Sequence, residues 1–251
     1  MTCEEKTILL LGGTGEAAEL NQLLADDPAF HLVTSLAGRT DTVTGLSGEL
    51  LPEGFQAYGG LETFLKDRNV RLVIDATHPF ATDMSEKVVR ICKSLEVKYL
   101  RLERPSWQKV EGDHWIEVPD MRAAAKACEA FSRIFLSVGR QELNVFENLV
   151  DKVLVVRSVM ETGFENFKSE IIWLQQKGPF KLSDETRLLE DHAVEVIVSK
   201  NSGGAATYAK LEAARTLGLP VIMIGRKTLE TKPQFTTVQE ILSEVRLFAS
   251  V

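Results

Sequence analysis

Thr7-Ile8-Leu9-Leu10-Leu11-Gly12-Gly13-Thr14-Gly15-Glu16-Ala17-Ala18-Glu19-Leu20 is an apolar run of strand length that stops at glycines and passes at once into a helical pattern. Gly13 to Ala18 fits G-x-G-x-x-G/A, with Ala18 in the close-packing position. Glycines permit a tight turn and let the backbone approach a pyrophosphate. The N–H groups at the start of the following helix are then free to bind it. An ordinary glycine-rich strand-to-helix turn would look similar. The strand before it and the helix after it favour a dinucleotide, with Gly12, Gly13, Thr14, Gly15 and Glu16 in contact with it.

Outward from this turn the alternation continues. Glu16–Ala25 reads as a helix, and His31–Leu36 as a second strand with Ala37-Gly38-Arg39-Thr40 at its tip. An NAD-type site would offer a carboxylate at that tip for the adenosine ribose. Here Ser35 stands in that place with Gly38 and Arg39 close behind, and a hydroxyl with a guanidinium suits a 2′-phosphate. The cofactor expected is therefore NADPH, with NADH as the other possibility. Residues 42–54 read as a loop with room for a short strand, Phe55–Tyr58 as a third strand, and Leu61, Phe64 and Leu65 as the inner face of a helix. Val70–Ala76 is a buried strand whose tip carries Thr77 and His78, two further expected cofactor contacts. A helix over Asp83–Leu95 and a strand over Val97–Arg101 complete the series. Such alternation means a parallel sheet covered by helices on both faces.

The rhythm breaks at Arg104-Pro105 and then restarts. This places the boundary between a dinucleotide-binding domain over residues 1–102 and a second domain over 103–251. Strands are expected at Trp115–Val118, Arg133–Val138, Val153–Val159, Ala193–Val198 and Leu219–Ile224. Helices are expected at Met121–Phe131, Ser183–Asp191, Ala205–Leu217 and Thr237–Phe248, with a less regular stretch over 169–182. Ligands of such sheets bind beyond the carboxyl ends of the strands. In the second half those tips are Gly139-Arg140-Gln141 and Ser199-Lys200-Asn201-Ser202-Gly203-Gly204. The latter combines small polar side chains, an ammonium and two glycines ahead of a helix; capping accounts for Asn201 or Ser202 but not for the rest.

Composition excludes several classes. With 251 residues, 29 Lys and Arg against 36 Asp and Glu, and a net charge of −7, nothing favours nucleic acid or an anionic membrane. No apolar run approaches the roughly twenty residues that span a bilayer, and the N-terminus lacks signal-peptide features. Cys3, Cys92 and Cys128 are too scattered for a disulfide scaffold or a zinc site, so a cytoplasmic protein without a metal is expected. Cys92 and Cys128 fall in helical patterns and read as buried, inert thiols. His78, followed by Pro79, reads more readily as a structural hydrogen-bonding residue than as an acid or base. Walker A and Tyr-x-x-x-Lys patterns are missing where a kinase or short-chain dehydrogenase would need them.

Taken together, Leu11–Thr14, Ser35–Arg39, Asp75–Ala81, Tyr99–Trp107, Gly139–Gln141, Ser199–Gly204 and Thr207–Arg215 resemble the precorrin-6A reductase family, which includes the cobalt-precorrin-6A reductases of cobalamin biosynthesis. The resemblance runs from the first strand to at least Arg226. It implies two Rossmann-like domains with parallel sheets and an interdomain cleft that holds the nicotinamide cofactor. It also implies reduction of one conjugated double bond of a corrin-precursor macrocycle, the tetrapyrrole substrate, by a hydride and a proton. A flat polycarboxylate gives Arg101, Arg104, Arg140 and Gln141, with Asn201, Ser202, Gly203 and Tyr208, a role in substrate binding. Lys200, at a strand tip among small polar residues, is the candidate proton donor; clamping a substrate carboxylate is its competing role. A non-enzymatic NADP-sensing module is the alternative from another class, but it has no use for the second polar loop. Neither the presence of cobalt in the macrocycle nor any protein partner is legible.

Overall fold

The structure, a computed structural model, describes residues 6–36, 45–51, 54–160, 163–227, 229 and 234–249. The expected contacts Gly38 and Arg39 lie outside the described residues. The chain divides into two compact units, one of residues 1–105 with 227–251 and one of residues 106–226.

The first unit runs β1 (Lys6–Leu11), α1 (Gly15–Leu24), β2 (Phe30–Ser35), β3 (Glu49–Leu51), α2 (Leu61–Asp67), β4 (Val70–Asp75), α3 (Thr82–Ser94) and β5 (Lys98–Leu102). Its strand order is completed from the chain's end, where a two-residue strand (Gln234–Phe235) pairs in parallel with β5 and leads into the helix Val238–Ala249. With that terminal strand at the β5 edge, the order is β5-β4-β1-β2-β3, every pairing parallel. Alternate residues of β1 face opposite ways. Ile8 and Leu10 pack with α1 and with Val238, Ile241 and Val245 of the terminal helix. Leu9 and Leu11 pack with Phe64 and Leu65 of α2 and with Val88 and Cys92 of α3. The order in which strands are added reverses between β1 and β4, so their tips flank the crevice where doubly wound sheets take ligands.

The second unit runs β6 (His114–Val118), α4 (Met121–Ala127), β7 (Arg133–Ser137), β8 (Val153–Ser158), β9 (Glu170–Gln175), α5 (Leu182–Asp191), β10 (Val196–Lys200), α6 (Ala209–Leu217) and β11 (Pro220–Ile224). The strand order is β6-β11-β10-β7-β8-β9, again parallel throughout. Here the reversal falls between β7 and β10. The strand at the chain's end is β12 and its helix α7.

Four expectations need correction. The segment after Arg226, assigned above to the second domain, belongs to the first unit, because β12 hydrogen-bonds to β5 and α7 packs on the β1 side of that sheet. Phe55–Tyr58 is not a strand. Gln56–Tyr58 is a 3₁₀ turn whose three-residue repeat puts Phe55 and Tyr58 on one side, each ring 5.3 Å from that of Phe64. The third strand is instead the short β3. The stretch 169–182 contains an edge strand, β9, and the helix expected from Ala205 is a 3₁₀ turn (Ala205–Thr207) followed by α6.

Candidate functional site

At the tip of β1, Gly12 donates its N–H to Ser35 O (2.8 Å) and Ala76 donates to Leu11 O (2.9 Å), so the ladder continues one step past the strands. Position 12 is closely packed: a Cβ there would meet Leu36 Cδ2 at 3.0 Å, so any larger residue would have to displace that side chain. Gly13 has φ of 111°, a left-handed backbone that side chains rarely adopt. Thr14 caps α1, its hydroxyl accepting from Ala17 N (3.1 Å) and donating to Ala76 O (2.8 Å). The turn is thereby tied to the tip of β4. A Cβ on Gly13 or Gly15 would meet no protein atom within 4 Å. The two glycines therefore border open space, and the N–H groups of Gly15 and Glu16, at the helix start, have no acceptor within the helix. A pyrophosphate fits this donor set. Ser35 is 2% exposed, and its Oγ is buried without a hydrogen-bond partner among the described residues.

Thr77 is fixed from below, its N–H and hydroxyl both donating to Asp75 Oδ1 (3.1 and 2.7 Å). Asp75 Oδ2 accepts from Tyr99 Oη (2.8 Å) and Arg101 Nη1 (2.7 Å). Arg101 also donates through Nε to Glu103 (2.8 Å) and through Nη1 to Ser85 Oγ. Both Arg101 and Asp75 are wholly buried. Burial is the largest influence and disfavours the guanidinium's charge, but Asp75, Glu103 and Tyr99 together outweigh it and hold the pKa above its ordinary value. Arg101, expected against substrate, is thus an internal strut under the β4 tip: its side chain has no exposed surface with which to meet a solvent-borne ligand. His78 Nδ1 accepts from Phe80 N (3.3 Å), a local turn contact.

Arg104 is placed on the same side as the glycine turn. Its Nη1 donates to Glu16 Oε2 at 2.7 Å, and both residues line a small cavity with Thr14, Thr77, Pro79 and Leu102. The pairing neutralises a carboxylate that would otherwise oppose an anion at the start of α1. Cys92 and Cys128 are buried, free thiols, each pushed up to about 12 by burial.

In the second unit, the tips of β7 and β10 meet at the reversal point. Lys200 Nζ donates to Glu142 Oε1 at 2.9 Å, with the lysine side chain 13% exposed. A Cβ on Gly139 would collide with the Glu142 carboxylate, so glycine there makes room for the pair. Arg140 and Gln141 begin the 3₁₀ helix after β7 and are exposed. Asn201, expected against substrate, is half-buried and turns its amide to the backbone of Trp107. Its Oδ1 accepts from Trp107 N (2.7 Å), its Nδ2 donates to Trp107 O (3.1 Å), and its own carbonyl accepts from Arg226 Nε (2.6 Å). It clamps Trp107. Ser202 is buried, with its N–H donating to Lys200 O (2.7 Å).

Gly203 and Tyr208, by contrast, line an open groove of about 550 Å³ with Trp107, Phe180, Ala205 and Glu212. Behind it lies Lys210, 3% exposed, whose Nζ donates to Thr207 O (3.0 Å). Burial, followed by the charge of Arg157, drives its pKa down to about 7 against a smaller opposing pull from Glu185. Arg157 is itself buried and doubly hydrogen-bonded to Glu185. Trp107, Glu142, Phe180, Arg157 and Lys210 were not among the expected site residues. The signals lay in a charge inside the β-branched run 153–159, and in a lysine spaced with Ala213, Ala214 and Leu217 on the inner face of α6.

Fold and turn together define a parallel α/β protein with a dinucleotide-type strand-turn-helix in its first unit and a separate polar and aromatic surface in its second. Residues 7–246 match the family described as precorrin-6x reductase CbiJ/CobK, and the chain belongs to that family. It is 37% identical over 243 residues to a precorrin-6A reductase of a Sinorhizobium species, covering 96% of this chain and 93% of that one. It is 27% identical over 249 residues to a cobalt-precorrin-6A reductase of Methanocaldococcus jannaschii, covering 95% and 97%. A solved structure titled CobK precorrin-6A reductase superposes with a TM-score of 0.87 at 36% identity, covering 96% of each chain. The chain is therefore an oxidoreductase of the class that reduces a carbon–carbon double bond. Among the described residues no helix is long and apolar enough to cross a membrane.

Proposed function

We propose that this protein reduces a conjugated double bond of the corrin-precursor macrocycle, taking precorrin-6A to the 6B form in cobalamin biosynthesis, with NADPH as the electron source. The observation that carries this reading is the glycine turn: Gly13 and Gly15 border open space at the reversal point of the first sheet, in a chain of a reductase family. The backbone of Gly13 to Glu16 would hold the pyrophosphate, with Thr14 fixing the turn and Arg104 offsetting Glu16. Gly38 and Arg39 stand in the sequence where a 2′-phosphate needs a cation, which favours NADPH over NADH, whereas Ser35, expected as a second contact, has its Oγ buried beneath that strand tip. A bound nicotinamide supplies a hydride to one carbon of the double bond. The metal-free macrocycle is favoured by identity: the relatives named precorrin-6A reductase stand at 36–37%, against 27–33% for those named cobalt-precorrin-6A reductase.

Negative charge left on the far carbon must be met by a proton, and Lys200 is the donor assigned here. Glu142 fixes the position of its ammonium, and Arg140 offers a neighbouring exposed cation for a substrate carboxylate. Lys200→Arg separates donation from clamping, because arginine keeps the charge and the Glu142 pairing but does not give up its proton. Donation predicts a fall in turnover of about 100-fold or more with macrocycle affinity nearly unchanged, as general-acid steps contribute roughly 10²–10⁴. Turnover within about threefold of wild type would reassign Lys200 to clamping.

A further inference from the structure

Two aromatic rings of the groove in the second unit each have a cation over one face, and the hydroxyl of a third accepts from an arginine. The Arg157 guanidinium carbon lies 3.7 Å from the centroid of the Phe180 ring and 4.8 Å from that of Phe135. Lys210 Nζ lies 5.0 Å from the centroid of Trp107. Arg215 Nη2 donates to Tyr208 Oη at 3.1 Å while its Nε is held by Asp113 at 2.8 Å. Trp107 and Tyr208 are neighbours, with centroids 5.9 Å apart and planes tilted by 52°. Phe180 is brought alongside them by its N–H to Ala206 O (3.1 Å), and a Cβ on Gly178 would crowd the Phe180 ring at 3.2 Å and Ala206 O at 3.3 Å.

A cation on one face of an aromatic ring draws on that face's negative quadrupole and leaves the ring a better partner for electron-rich π systems. Arg157 and Arg215 are balanced by Glu185 and Asp113. Lys210 has no carboxylate within ion-pair distance among the described residues, and its lowered pKa leaves the ammonium only partly charged near neutrality unless an anion comes to stabilise it. Glu212, at the groove wall, is the opposing charge and disfavours a carboxylate beside it. A volume of about 550 Å³ falls in the range of small-molecule sites, roughly 300–1,000 Å³.

We propose that this groove receives one conjugated edge or face of the macrocycle, packed against the aromatic side chains of Trp107, Phe180 and Tyr208. The proposal rests on the reductase reading. A nucleotide base is also flat, but the cofactor's phosphates have their donors in the first unit, and an extended anionic ring system makes fuller use of three aromatic walls.

The test titrates precorrin-6A, by its visible absorption, into the full-length chain in the presence of NADP⁺, with NADPH affinity measured separately. Ala205 is exposed on the groove wall, and Ala205→Trp fills the groove without removing a buried contact. It should weaken macrocycle binding at least about 30-fold and leave NADPH binding within about twofold. Phe180→Leu should weaken the macrocycle about tenfold, the loss of one aromatic contact, whereas Phe180→Tyr keeps the ring and should bind as wild type. If Ala205→Trp fails to fold, the Phe180 pair decides in the same way. Wild-type macrocycle affinity in a folded Ala205→Trp, equal affinities for Phe180→Leu and Phe180→Tyr, or a loss confined to NADPH would each overturn the groove assignment. A wild-type chain that does not bind the macrocycle at all would overturn the reductase reading with it.

Discussion

Arg101→Met should destabilise the first unit by about 3–5 kcal/mol, the usual cost of removing one partner of a buried ion pair. The substitution keeps apolar volume but leaves the Asp75 carboxylate without its counter-charge in a site with no exposed surface, and it removes the donors to Glu103 and Ser85. Thermal unfolding should then begin roughly 6–20 °C lower for a chain of this size. The remedy is specific. Asp75→Asn in the Arg101→Met background removes the stranded charge while keeping an acceptor for Thr77, so it should recover a substantial part of the loss. A single variant within about 1 kcal/mol of wild type would show that the pair is not the strut described.

The second large effect is on the cofactor. Gly15→Val should lower NADPH affinity at least about 100-fold, or about 2.7 kcal/mol, because the branched side chain enters the space the pyrophosphate needs. Stability should hold: Gly15 is not among the residues with positive φ, a Cβ there meets no protein atom, and glycine is itself a poor helix former. Gly13→Val would mix two causes, since its backbone at φ of 111° adds roughly 1–3 kcal/mol of strain. A folded Gly15→Val that binds NADPH like wild type, by enhancement of nicotinamide fluorescence, would mean that the dinucleotide lies elsewhere.

What the sequence made legible was local. The change from period 2 to period 3.6 across Gly12–Gly15 is written in consecutive residues, and so are the β-branched run of β8 and the inner face of α2. What it hid depends on partners far along the chain. Arg101 reads as a strand-tip cation; only the register that sets it opposite Asp75 on β4 makes it internal. Asn201 reads as a polar ligand or a cap, yet both ends of its amide close on the backbone of Trp107, 94 positions away. Helix α7 was readable from its apolar spacing, but the two-residue β12 that joins it to the first sheet has no periodicity to read. The groove is non-local in the same sense. Its walls come from residues 107, 180 and 203–212, each unremarkable in its own stretch.

The central claim is that this chain moves a hydride from a nicotinamide to a carbon of a corrin precursor. Its most direct test uses NADPH deuterated at the transferable position, metal-free precorrin-6A and the purified full-length protein, followed by mass spectrometry of the macrocycle. The account predicts one deuterium per macrocycle, with nicotinamide absorbance lost in equal amount and only when both reactants and the protein are present. A macrocycle recovered unreduced, or reduced without deuterium, would contradict it.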